Sequence, residues 1–375
     1  MKTHICLVSA QAAPNLLPAL DPSLKPQQIV LVVSPAMQRA ALSLEAVFKE
    51  VGIKTRIHTI ADIHQYAQIE EALLTLATEF EGQDTYLNLT GGTKLMALVA
   101  LAVAQEANWR SFYVDLDTDQ VIWLNRDSPP QELGEQLRLR HYLRSYGFDL
   151  IEAPVRPQNS AAQSQLTQTL VSQIGSLEGS IAQLNWLSQQ AEAHNQLTIQ
   201  LSTQQQDSRS LEALLREFSH AGILQVSASG DSIKFSDRDS LNYAKGGWLE
   251  SHVFECITRV SADLRLRDKA ANLRVTSQGV ENELDIALMA HNRLFVIECK
   301  TARMDQAQAP KANDALYKLE GLCKRIGGIG TRGMLASYRA LRDSEKRLAA
   351  ALNIELVCGR ELGQLEHHLR RWIGK

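Results

Sequence analysis

The stretch Glu283-Leu-Asp-Ile-Ala-Leu-Met-Ala-His-Asn-Arg-Leu-Phe-Val-Ile-Glu-Cys-Lys300 constrains this chain more than any other. Two apolar, β-prone runs, Glu283 to Ala290 and Arg293 to Cys299, flank the polar pair His291-Asn292, which is the spacing of a tight β-hairpin. A two-residue turn pairs 290 with 293 and 286 with 297. It therefore predicts Asp285 directly opposite Glu298, with Cβ atoms about 4.5–5.5 Å apart. Side-chain alternation puts Lys300 on the face of Glu298 and gives the other face to Leu284, Ile286, Leu288, Phe295, Ile297 and Cys299. Opposed carboxylates on an otherwise apolar strand pair are unfavourable unless a proton or cation relieves them. A divalent metal is the natural remedy.

The order Asp285, twelve residues, Glu298-Cys-Lys300 resembles the PD-(D/E)XK nuclease core. Leu284 stands where the proline of that pattern would be. The resemblance implies that Asp285 and Glu298, with the backbone carbonyl of Cys299, hold Mg²⁺ or Mn²⁺, and that Lys300 orients or deprotonates the attacking water. Upstream, Gly246-Gly-Trp-Leu-Glu250 opens an apolar-periodic helix (Leu249, Val253, Ile257, Val260), with Glu250 near its inward stripe beside Val253 and Phe254. Glu250 matches the helix glutamate of the nuclease core, which implies a supporting or second-metal contact. The plainer reading is that Asp285, Glu298 and Lys300 form a cross-strand ion triad.

At 375 residues the chain exceeds one typical core, so two or three domains are expected. The net charge of −3 is unevenly spread. Residues 1–240 carry 17 Lys+Arg against 26 Asp+Glu, whereas residues 241–375 carry 22 against 16. Only the C-terminal part favours a phosphate backbone. Five scattered cysteines (6, 256, 299, 323, 358) have no zinc or disulfide spacing, as in a reducing compartment. The apolar run Ile5 to Val8 is too short for a signal peptide, and Leu95 to Ala104 too short to span a bilayer. A soluble, cytoplasmic protein without membrane contact is expected.

The first 150 residues alternate strand-like and helix-like runs: strands at 3–10, 28–34, 53–59, 85–90, 110–116 and 120–125, with helices across 36–51, 62–80 and 93–107. That order predicts a mainly parallel, Rossmann-like sheet, whose ligands sit at the carboxyl ends of its strands. There, Asn88-Leu-Thr-Gly-Gly-Thr-Lys94 ends a strand in glycines and begins a helix. Gly91 and Gly92 permit close backbone approach, and Thr90, Thr93 and Lys94 add donors suited to an anion. It is not a Walker A loop. An ordinary threonine-capped turn with a solvated Lys94 accounts for the spacing equally well.

The segment resembles the CARF domain, the CRISPR-associated Rossmann sensor of cyclic oligoadenylates, over residues 1–150. The resemblance implies a homodimer with a ring-shaped ligand on its two-fold axis. Ser9-Ala10-Gln11 and Ser34 would then flank the pocket with Asn88, Thr90, Gly91, Gly92, Thr93 and Lys94. Residues 151–240 read as a helical linker with a small winged-helix-like module, favoured as a spacer over a DNA reader. Residues 241–375 read as a restriction-endonuclease-like α/β domain. As a whole the α/β chain resembles the ancillary nucleases of type III CRISPR systems, activated by cyclic tetra-adenylate and cleaving DNA, RNA or both. The alternative from another class is a ligand-sensing CARF transcriptional regulator with an inactive nuclease fold.

Overall fold

The structure, a computed structural model, describes residues 1–134, 137–153, 157–301 and 312–374. Strands β1 (Thr3–Leu7), β2 (Gln28–Val33), β3 (Lys54–Thr59), β4 (Thr85–Asn88), β5 (Arg110–Asp115), β6 (Gln120–Trp123) and β7 (Gln131–Glu132) form one sheet in the order β3-β2-β1-β4-β5-β6-β7. The first five are parallel and β6 and β7 are antiparallel. Helices cover both faces, so β1, β2 and β4 are buried along almost their whole length. Helices Tyr66–Glu79 and Lys94–Glu106 close one face, and helices Ala13–Leu20, Gln38–Glu50 and Leu139–Ser145 the other. The Rossmann-like reading of the N-terminal region holds.

Strand β8 (Asp149–Leu150) leaves that sheet and pairs with β12 of the C-terminal one. Between them, β9 (Thr198–Gln200), β10 (Leu224–Val226) and β11 (Ser232–Phe235) form a three-stranded antiparallel sheet. It lies beside helices Ile174–Ala193 and Arg209–His220, a winged-helix-like arrangement. The C-terminal sheet adds β12 (Asp268–Ser277), β13 (Val280–Ala290), β14 (Arg293–Lys300), β15 (Arg332–Ser337) and β16 (Ile354–Cys358), in the order β16-β15-β14-β13-β12-β8. One face, with Ala287, Met289, Leu294 and Val296, is continuous with the core under the N-terminal sheet. The other, with Ile286, Leu288, Phe295 and Ile297, packs under helices Trp248–Val260 and Leu365–Ile373 and the middle module.

The domains also meet through polar contacts. His291 and Asn292 both have positive φ, as a two-residue hairpin turn of this handedness requires. Asn292 Nδ2 donates to Asp119 Oδ2 (3.2 Å), and Arg293 donates to the Leu116 carbonyl (3.0 Å). The tip of the β13–β14 hairpin therefore rests on the β5–β6 turn.

Candidate active site

The hairpin register is the one its turn dictates: Ala290 faces Arg293 and Ile286 faces Ile297. Beyond that rung the ladder ends. Asp285 Oδ2 accepts a 2.7 Å hydrogen bond from the Cys299 N–H, doing with a side chain what a strand carbonyl would otherwise do. The facing pattern also departs from simple alternation. Leu284 sits in the interdomain core with Ala287 and Met289, not with Ile286 and Leu288. The cause is a reversal of the pleat at Asp285 and at Asn272 opposite it on β12, where Asn272 has φ 49°.

Asp285 consequently lines a cavity of about 1000 Å³ with Glu250, Glu283, Cys299, Lys300 and Thr301. Glu250 reaches it from the first turn of helix Trp248–Val260. That helix follows a bend at Gly246, φ 152°, where a Cβ would lie 2.5 Å from the Thr301 hydroxyl. Glu298 is set back from the cavity, 8 % exposed, and its Oε1 lies 2.5 Å from Lys300 Nζ. Lys300 joins Glu298 to the cavity.

The charges are poorly compensated. Burial, then Glu298 and Glu250, push the Asp285 carboxyl up to about 7 against the opposing pull of Lys300. Burial, then Glu283, also raise Glu250. Burial alone would lower Lys300, but Glu298 and Asp285 hold it above its ordinary value, so the amine is an ammonium. Among the described residues no three His, Cys, Asp or Glu side chains are gathered as a ready-made metal cage. Two carboxylates that repel one another, Glu298 buried and Asp285 half-buried, suit Mg²⁺ or Mn²⁺. Such ions take few protein oxygens and keep the rest of their shell for water and phosphate.

The wall of the cavity holds residues that sequence reasoning passed over. Glu283 and Asn272 flank Asp285, and Lys245 reaches in from the turn before the Glu250 helix. The middle module adds Gln189 and Glu192, with Glu192 ion-paired to Lys245 at 2.7 Å and Asn185 Nδ2 donating to the Thr301 carbonyl at 3.3 Å. That module is part of the site's wall rather than a bare spacer. Glu283 carried one sequence signal, its place two residues from Asp285 on the same strand.

In the N-terminal domain, parallel pairing brings the ends of β1, β2 and β4 to one edge. Ser9, Ser34 and the 88–94 loop therefore share it. Asn88 is fully buried and all its polar atoms are engaged. Its Nδ2 donates to the Pro14 carbonyl and Asn15 Oδ1, both at 2.9 Å, and its Oδ1 accepts from the Thr90 N–H (3.1 Å) and hydroxyl (2.7 Å). Thr90 Oγ1 in turn accepts from the Val114 N–H, 2.8 Å. Thr93 caps helix Lys94–Glu106 through the Met96 N–H. A Cβ on Gly91 would lie 2.0 Å from the Leu7 carbonyl, so only glycine lets the loop press against β1. Gly92, at φ 73°, then turns the chain out. Ala10 and Lys94 are exposed, and Ser34 is buried. Gln11 turns away: its amide accepts from the Tyr146 hydroxyl at 3.4 Å and abuts Gly328 of the C-terminal domain. Among the described residues no helix is long and apolar enough to cross a membrane, and all five cysteines are free and buried.

Residues 3–142 match the Card1 CARF domain, and residues 237–375 match the endonuclease domain described as Card1-like. The chain is similar over its whole length to protein VC1899 from Vibrio cholerae (26 % identity, 98 % of that chain, TM-score 0.89). It is also similar over its whole length to Can2 from Sulfobacillus thermosulfidooxidans, solved with cyclic tetra-adenylate (25 % identity, 99 % of that chain, TM-score 0.83). Ninety per cent of it shares a fold, at 18 % identity and TM-score 0.56, with 45 % of a type III CRISPR defence DNA nuclease activated by cyclic oligoadenylate. No curated protein matches the sequence. The chain thus joins a region that matches the Card1 CARF domain to a region that matches the Card1-like endonuclease domain, and it is a nuclease.

Proposed function

We propose that this nuclease is switched on by a cyclic oligoadenylate in type III CRISPR antiviral defence and that it cuts at Asp285, Glu298 and Lys300. The observation that carries the reading is the cluster itself. Mutually repelling acids, Glu298 buried and Asp285 and Glu250 half-buried, stand beside the half-buried ammonium of Lys300 at a cavity of about 1000 Å³, in a chain that also bears a CARF domain. Asp285 and Glu298, with the Cys299 carbonyl, would hold Mg²⁺ or Mn²⁺, which when bound polarises the scissile phosphate and lowers the pKa of the attacking water. Lys300, kept protonated by Glu298, orients that water and offsets charge on the phosphate; a protonated amine is not the base that removes the water's proton. Glu250 and Glu283 add negative potential on the cavity's helix side.

Cyclic tetra-adenylate is the activator the reading favours, because Can2, similar over the full length, was solved with it. Ser9, Ala10, Ser34, the backbone of Gly91 and Gly92, Thr93 and Lys94 would meet the phosphates. Asn88 and Thr90 would hold the loop in shape, and Gln11 would carry the response to the domain interface. A ring with repeated phosphates suits an isologous homodimer with one such loop from each subunit. The substrate is nucleic acid, DNA or RNA, met in the cytoplasm. The test is cleavage of fluorescent single-stranded DNA, duplex DNA and RNA with Mn²⁺ or Mg²⁺, with and without cyclic tetra-adenylate. Cutting that needs both metal and ligand supports the reading, and cutting indifferent to the ligand refutes the sensor half.

A further inference from the structure

The interior of a strand is an unusual place for a left-handed backbone. Among the described non-glycine residues with positive φ, all but one lie in turns; Asn272, at 49°, lies within the ten-residue strand β12. Most L side chains avoid this region, and Asn is among the few that enter it readily.

The effect is visible in both strands. Ala271 pairs with Ile286 and Leu273 with Leu284, so the register is the same on either side, but the ladder skips the 272/285 rung between them. Ala270 faces the interdomain core and Ala271 the opposite layer, as a regular pleat demands; Leu273 and Val275 then return to the interdomain core, against that alternation. On β13, Ala287 and Met289 face the interdomain core, Ile286 and Leu288 the opposite layer, and Leu284 the interdomain core again. Both strands reverse at one rung. Continued without reversal, the alternation of Ala287 and Met289 would send Asp285 into apolar packing. Instead Asp285 and Asn272 both line the cavity with Glu250 and Lys300.

We infer that Asn272 is a positioning residue of the cleavage site, whose left-handed backbone reverses the pleat and turns Asp285 from the interdomain core into the catalytic cavity. Its action is through φ rather than through its amide, which makes no hydrogen bond among the described residues and so is not what holds Asp285. The inference rests on Asp285 being a cleavage residue.

The test compares Asn272→Gly, which keeps access to positive φ and deletes the amide, with Asn272→Ala and Asn272→Val, which disfavour it increasingly. Activated cleavage should stay within about threefold of wild type for Gly, fall about tenfold for Ala and a hundredfold or more for Val. The loss should lie in kcat with KM little changed, since the substrate wall is intact and the reacting group is misplaced. Cyclic tetra-adenylate binding and the thermal transition of each variant report folding. If Asn272→Val does not fold, the Gly and Ala variants alone carry the order. Near-wild-type kcat for a folded Ala or Val variant overturns the inference, as does a Gly variant no more active than Ala, which would make the amide the active part. Asp285→Ala is the control: if it still cleaves, the site assignment has failed, whereas if it is inactive while Asn272→Val is active, only the role of Asn272 has failed.

Discussion

The 88–94 loop and the end of the β13–β14 hairpin are both polar segments at the carboxyl end of buried strands, yet they are built in opposite ways. In the loop the side chains that look like ligand donors are already occupied. Asn88 makes four hydrogen bonds, Thr90 links β4 to β5, and Thr93 caps a helix. What the loop leaves open is the half-buried backbone of Gly92 and the exposed Thr93 and Lys94. At the hairpin the acids are under-compensated, with Asp285 raised to about 7 by burial and by Glu298, and Glu250 raised by burial and Glu283. On the proposed reading, a loop that senses a ligand must keep its shape until the ligand arrives, so its polar groups satisfy one another, whereas a site completed by a cation has its charges in excess without one.

This contrast can be broken most severely at the hairpin. Glu298→Ala or Asp285→Ala should lower metal-dependent cleavage by about a thousandfold or more while ligand binding is unchanged, because a metal ligand is lost and the rate gain of metal-activated water with it. Thermal unfolding should show Asp285→Asn, which keeps an acceptor for the Cys299 N–H, no less stable than wild type without metal, since removing one of two repelling charges relieves the other. Retained cleavage with the same metal requirement would refute the assignment.

The loop should respond in the reverse sense. Asn88→Ala should destabilise the N-terminal domain by about 2–4 kcal/mol, because it strands the buried Asn15 and Thr90 groups that Asn88 satisfies. Chemical denaturation measures this. A variant of unchanged stability that merely binds ligand poorly would mean that Asn88 is a ligand donor after all.

A smaller effect concerns pH. Asp285 has a higher pKa folded than unfolded, so between about pH 4 and 7 the metal-free native state binds more protons than the unfolded chain. The contribution of this group to stability is therefore greatest in acid and lost as pH rises through 7. Asp285→Asn should flatten that slope and leave the metal-free protein about 1–3 kcal/mol more stable at pH 8 relative to wild type. Denaturation at pH 5 and pH 8 for both proteins decides it. Saturating Mn²⁺ should stabilise wild type at pH 8 and not the variant.

Much of the architecture was legible because it rests on strong local signals. Continuous apolar runs such as Gln28–Val33 mark buried parallel strands, and the His291-Asn292 turn fixes a register that the structure reproduces at Ile286↔Ile297. Strand β12 has no such signal, since Asp268–Ser277 interleaves Lys, Asn and Arg with an Ala270-Ala271 pair and single apolar residues and reads as an irregular segment. Helix Ala13–Leu20 was hidden by Pro14 and Pro18; the first occupies the opening turn, where proline suits a helix, but the second lies inside it. The facing of Leu284 departs from simple alternation for a deeper reason. Period-two alternation assumes an unbroken pleat, and the residue that breaks it, Asn272, lies on a neighbouring strand thirteen positions away. The cavity wall supplied by Gln189 and Glu192 likewise depends on long-range packing that no local pattern encodes.

The central claim is that ligand sensing and cutting occupy separate, coupled sites, so a ligand acts only by its different affinity for two arrangements of the protein. The most direct measurement is the cyclic tetra-adenylate dose–response of oligonucleotide cleavage for wild type, Lys94→Ala and Glu298→Ala at fixed Mn²⁺. Loss of one charge-assisted phosphate contact, about 1.5–3 kcal/mol, should shift the Lys94→Ala curve ten- to a hundredfold to higher ligand with the same plateau. Glu298→Ala should stay flat at every concentration. A Lys94→Ala curve that overlies wild type, or a Glu298→Ala curve that rises to the wild-type plateau, would contradict the account.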